Sequence, residues 1–224
     1  MILIKKNKEP KEWAQYRCTS GVDYQSIPEL VDSLLKEQGY LCAYCMRRIP
    51  CHDKLYKKDG ITFELTAEDH RVEHILSRDS HPEKKLDYDN MVICCPGHIG
   101  LDEHCDRLKK EKDISFSPLD SEFIATLSYK EDGEIVSSNA LYNKEINEIL
   151  NLNTKHLKYN RKQSWDSVKK ELVSIKKGKP WNIGVLKSFL NKYGSMHKKN
   201  KELQYIPYCG IVLYNLQKKL RQLG

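Results

Sequence analysis

Apolar residues along the chain follow two rhythms. From residue 139 onward they recur every three or four positions, which predicts helices over about 139–151, 154–176, 182–195 and 208–222, punctuated by Lys179-Pro180 and Tyr205-Ile206-Pro207. Before residue 139 they come in short runs. Residues 2–4, Ile61–Thr66, Arg71–Ile75 and Met91–Cys94 read as strands, residues 50–60 and Ser77–Asp89 as loops. Residues 122–129 and 134–137 alternate around Asp132-Gly133, a hairpin signal. Three early helices interrupt this pattern. Lys8–Arg17 places Trp13 and Tyr16 on one face. A second helix starts at Ser26-Ile27-Pro28-Glu29, with Ser26 as N-cap and Glu29 completing a capping box; it carries Leu30, Val31, Leu34 and Leu35 and stops at Gly39. A third covers Glu103–Lys112. Strand, loop, strand, helix across 70–112 is the order of a ββα finger, so the expected fold class is α+β, with a composition shift near residue 118 dividing 1–118 from 119–224.

Composition sharpens this picture. A chain of 224 residues with 39% hydrophobic residues and 13 Tyr can build a core. The net charge is +7, and residues 155–179 carry nine Lys or Arg (among them Lys169 and Lys170) against Asp166 and Glu171. Such a stretch is either a solvated helical face or a surface for a polyanion, most simply nucleic acid. No apolar run reaches the roughly 20 residues of a membrane span. The start, Met-Ile-Leu-Ile-Lys-Lys, lacks the order of a signal peptide. A reducing cytoplasm is therefore the expected compartment, where eight Cys point to metal ligands or buried thiols rather than disulfides.

Cys42 and Cys45, two residues apart, can bind one Zn²⁺ from a tight turn, and a structural site needs four ligands. Cys94 and Cys95 are adjacent, so in a strand they face opposite ways and only one can join. Cys95 follows the apolar run and is favoured with Cys105; Cys94, His98 and His104 are the alternatives. Cys18 and Cys209 read as core residues and Cys51 as a weak ligand candidate.

Interleaved with these cysteines are Glu73-His74, Asn90 and Asp106. Phosphodiester hydrolysis needs an activated water and charge neutralisation on the phosphate. His74 can serve as general base. Glu73 and Asp106 offer the oxygen ligands that a hard ion such as Mg²⁺ or Mn²⁺ prefers. Asn90 could fix the loop geometry by hydrogen bonds.

Cys42-x-x-Cys45, Glu73-His74, Asn90, Cys95 and Cys105-Asp106-x-x-Lys109 together resemble the HNH endonuclease motif. The resemblance implies a ββα-metal core with a four-cysteine zinc knuckle, His74 as general base, Glu73 as adjacent metal ligand, Asn90 as the middle residue, and a product with a 5′ phosphate. The last motif position is usually His or Asn in that family; here it is Asp106. The phrase Gln38–Cys45, the close His104-Cys105-Asp106, and Ile149–Asn153 are similar to the HNH component of two-gene Septu antiphage systems, also found beside retrons. That likeness implies an ATPase partner of the Septu type and phage restriction by cleavage of nucleic acid, DNA foremost. The alternative is a zinc-organised nucleic-acid-binding module without catalysis, which has no need of the Glu73, His74, Asn90 and Asp106 set.

Overall fold

The computed structural model describes residues 1–49, 56–58, 61–63, 69–99, 102–178, 181–199 and 201–223. Helices and strands are mixed, as expected. The N-terminal part holds α1 (Lys11–Arg17) and α2 (Pro28–Glu37), then the hairpin of β1 (Tyr56–Lys58) and β2 (Ile61–Phe63). Next come the paired strands β3 (Arg71–His74) and β4 (Met91–Cys94), the short pair β5 (His98–Ile99) and β6 (Asp102–Glu103), and α3 (Asp106–Lys109). After α4 (Ser121–Ala125) and the hairpin β7 (Leu127–Tyr129) with β8 (Ile135–Ser137), the chain runs through α5 (Ala140–Glu148), α6 (Lys155–Lys176) and α7 (Ile183–Gly194). The hairpin β9 (His197–Lys199) with β10 (Glu202–Gln204) and α8 (Cys209–Arg221) complete it.

The late helices match their predicted spans closely because each of the first three starts on a side-chain cap. Asn139 accepts from Leu141 and Tyr142 N–H, Thr154 from Leu157 N–H, and Asn182 from Gly184 and Val185 N–H. α2 ends as Gly39 demands. Tyr40 N–H bonds to Leu35 C=O and Gly39 N–H to Lys36 C=O, with Gly39 at φ +54°, which is a Schellman turn.

Elsewhere the structure corrects the sequence reading. Residues 2–4 join no described sheet; Ile4 N–H bonds instead to Pro118 C=O. α1 begins at Lys11 rather than Lys8, because Pro10 holds Glu9 out of helical conformation. Ser26 does not cap α2: Ile27, extended before Pro28, is the N-cap and offers no side-chain oxygen. The loop expected at 50–60 contains β1; residues 64–66 and Cys51 lie outside the described residues. The strand expected over 122–129 is half helix, since Asp120 accepts from Glu122 N–H and starts α4. The helix expected at 103–112 shrinks to four residues. Asp102 and Glu103 pair with β5, and Cys105 sits at φ +55°, which interrupts any helix reaching back from α3.

One core runs from Trp13 and the α2 stripe (Leu30, Leu34, Leu35) through Met91, Val92 and Ile93 to Leu157, Val168 and Leu172 of α6 and Val212 and Leu216 of α8. It takes residues from both sides of position 118. Backbone and side-chain bonds also cross that position: Cys105 N–H to Leu150 C=O at 2.8 Å, and Ser115 N–H and Oγ to the Glu145 carboxylate at 2.8 Å each. β4 is fully buried on its outer edge. There the Gln38 amide stands in for a further strand, donating to Ile93 C=O at 2.8 Å and accepting from Ile93 N–H at 2.8 Å.

Candidate functional site

The strand pair β3–β4 feeds two neighbouring sites. Its register sets Arg71 opposite Cys94, Val72 opposite Ile93, Glu73 opposite Val92 and His74 opposite Met91. Beyond β4 the chain turns through Cys95 and returns through Cys105 to Asp106, so adjacent residues serve different chemistry.

The first site is the cysteine cluster. The sulfurs of Cys42, Cys45, Cys95 and Cys105 lie within 4.8 Å of one another, and all four residues are buried. Cys42 and Cys105 sulfurs are 3.8 Å apart and Cys45 and Cys95 sulfurs 3.6 Å. Four sulfurs on a tetrahedron of roughly 2.3 Å radius are about 3.8 Å apart, so the set fits Zn²⁺. Burial pushes the Cys45 and Cys105 thiols well up, while bonds from Cys105 bring Cys95 down to about 7. Four thiolates in a dry pocket need a cation to ionise together. The turn that carries Cys42 and Cys45 is tied to β4 by Ala43 N–H to Ile93 C=O at 3.0 Å. Of the alternative ligands, Cys94 lies outside the set, His98 is exposed with Nδ1 3.4 Å from Arg107, and His104 Nδ1 lies 3.1 Å from Cys105 Sγ, placed to donate to a thiolate.

The second site is an open cleft of about 660 Å³ whose walls include Arg71, Glu73, His74, Arg78, Asp106, Arg107 and Lys110. Glu73 is buried. Burial pushes its carboxyl well above the usual range, the hydrogen-bonded Asp106 carboxyl adds to this, and the Lys109 ammonium opposes it. Lys109 is fully buried, 2.8 Å from Glu73 Oε1, and also donates to His74 C=O at 3.0 Å. Tyr44 donates to the same Glu73 oxygen at 3.2 Å. Asp106 is the more open arm, with Arg71 3.6 Å away. Glu73 and Asp106 thus bring two carboxyls together, the oxygen donors that a hard divalent cation prefers.

His74 Nε2 lies 3.0 Å from Lys85 C=O. A carbonyl only accepts, so Nε2 carries the proton and Nδ1 the lone pair. The Tyr24 ring meets the imidazole edge to face at 4.6 Å. Burial, with smaller contributions from Arg78 and Lys109, lowers the His74 pKa from 6.5 to about 4. Asn90 does not reach this chemistry directly. Its amide donates to Leu76 C=O (3.0 Å) and Lys84 C=O (3.2 Å), and its oxygen accepts from Leu76 N–H (2.8 Å). It thereby holds both ends of the 76–85 loop, and so the Lys85 carbonyl that orients His74.

Glu73, His74 and Asp106 therefore line one cleft, with Asn90 behind it. Sequence reasoning passed over Lys109, Tyr44 and Tyr24. Lys109 stood in the quoted motif without a role, and a Lys in a short charged helix looks like surface. The chain matches no protein-family model and no curated protein.

Proposed function

We propose that this protein is a metal-dependent endonuclease of the HNH type, built on a ββα-metal core, with a structural Zn²⁺ at Cys42, Cys45, Cys95 and Cys105. The observation that carries the reading is the meeting of the Glu73 and Asp106 carboxyls beside His74, in a cleft rimmed by Arg71, Arg78, Arg107 and Lys110. Mg²⁺ or Mn²⁺ held by Glu73 and Asp106 would neutralise charge on the phosphate and on the departing oxygen. His74 Nδ1 takes a proton from water as the oxygen attacks phosphorus. The P–O3′ bond breaks, the 3′ oxygen is protonated from solvent, and a 5′ phosphate remains. The Lys85 carbonyl keeps the imidazole in the tautomer this requires, and the cationic rim holds the flanking phosphates.

The likeness to the Septu HNH component extends the proposal to an effector of two-component antiphage defence acting with an ATPase. Plasmid and RNA incubated with Mg²⁺ or Mn²⁺, with and without that ATPase, test both levels. Cleavage by the parent and its loss in folded His74→Ala are expected. Parental-rate cutting by His74→Ala removes the mechanism; no cutting of any substrate with tight binding retained leaves the non-catalytic module.

A further inference from the structure

Charge is strongly segregated along this chain. Residues 167–224 hold thirteen Lys and Arg and only Glu171 and Glu202 as acids, a net of +11, which leaves −4 for residues 1–166 out of the overall +7. The structure also divides the basic stretch at 155–179. Residues 158–169 are already partnered: Lys158 with Asp132 at 2.6 Å, Lys162 and Lys169 with Asp166, and Arg161 buried on Gly133 and Leu152 carbonyls. The far end of the stretch is not. Lys170, Lys176 and Lys177 there, like Lys218, Lys219 and Arg221 of α8, make no ion pair with any carboxylate among the described residues.

α6 and α8 bring this far end together. Asn160 bonds to Tyr208 Oη at 3.1 Å near the start of both helices, and Lys176 and Lys219 both lie over the Trp181 ring, at 4.9 and 4.7 Å. The two helices therefore run parallel and end side by side. Cations in a last turn complement the helix dipole. That accounts for one or two per helix, and not for the near absence of acids around them. At the other end of α6, His156 Nδ1 lies 3.2 Å from Asp102, next to Glu103 in the cleft wall. From His156 to Lys176 is about 30 Å of helix, or roughly nine steps of duplex at 3.4 Å each.

We propose that the paired ends of α6 and α8 form a second nucleic-acid surface, which grips the phosphate backbone of a duplex about one helical turn from the cleft. The cleft's part in this rests on the nuclease reading; the surface itself does not. Lysines without carboxylate partners, on flexible stems, suit phosphate contacts that carry no sequence information.

The test is the combined variant Lys177→Glu, Lys218→Glu and Arg221→Glu, with its thermal midpoint checked against the parent. Binding of a fluorescent duplex of roughly 30 base pairs, a length of about three helical turns, is measured across salt concentrations without added divalent metal. The variant is expected to bind at least tenfold more weakly at low salt, with its log–log salt slope reduced by about 2–3. In cleavage, KM for the long duplex should rise at unchanged kcat, while KM for a duplex of roughly one turn stays at the parental value. Parental affinity and slope in the variant overturn the proposal, and are the outcome if this end docks a protein instead. Loss of binding with no cleavage by either protein upholds the surface and removes the nuclease reading.

Discussion

The cysteine cluster and the carboxylate cleft share a strand pair and a turn, yet they are built on opposite principles. The cluster is closed and made of one residue type; its four sulfurs already stand at the separations a Zn²⁺ imposes. The cleft is open on one side, mixes acid, base and cation, and holds its charges in partial balance through Lys109. A group that only has to hold the fold can be fully satisfied and enclosed. On the proposed nuclease reading, the cleft must keep some capacity for a substrate, here the Nδ1 lone pair of His74 and the more open arm Asp106.

The largest effect separating the two should come from the cluster. Cys42→Ser is expected to abolish cooperative folding of the region around residues 40–110, because structural Zn²⁺ contributes folding energy directly. A parental near-UV circular dichroism spectrum, or freshly purified parent protein without zinc, would break the comparison at its root. Lys109→Met comes next. It leaves Glu73 buried without its ammonium partner, and breaking such a pair costs about 3–5 kcal/mol. Denaturant titration should show this loss with zinc content unchanged; a variant as stable as the parent would mean the cleft does not depend on that balance.

His74→Ala should lower the cleavage rate by about 10²–10⁴, the usual worth of a positioned base, with little loss of stability. Smallest in effect, and most specific, is the pH profile. The base works as neutral imidazole, so with a pKa of about 4 the rate should hold through neutral pH and fall only as pH drops through about 4, rather than near 6.5. Stability should respond over a wider window. The unfolded chain takes up the His74 proton near 6.5 and the folded one near 4, so this group's contribution is complete above 6.5 and is lost as pH falls between the two. A rate limb at 6.5 would show an imidazole open to water.

Much of this was legible in residue types alone. Strand alternation separated Cys95 from Cys94, and the three- and four-residue apolar rhythm placed the starts of the late helices within one residue. Where reading failed, a neighbour distant in sequence or a competing local signal decided. Asp120 turned an apparent strand into α4, and the positive φ of Cys105 cut short the helix expected across 103–112. Lys109 and Arg161 could not have been singled out. Both are charged residues on helices, and only the fold shows that one is committed to Glu73 and the other to backbone carbonyls.

The bond from Cys105 N–H to the Leu150 carbonyl has a consequence in time. Cys42, Cys45 and Cys95 leave the ribosome well before the residue that fastens Cys105 and, next to it, Asp106. The acidic wall of the cleft gains this tether only once the chain has been synthesised beyond α5. On a chain growing from its N-terminus, this one tether of the cleft waits for Leu150, although Glu73 and His74 and the strand that pairs with them are made much earlier.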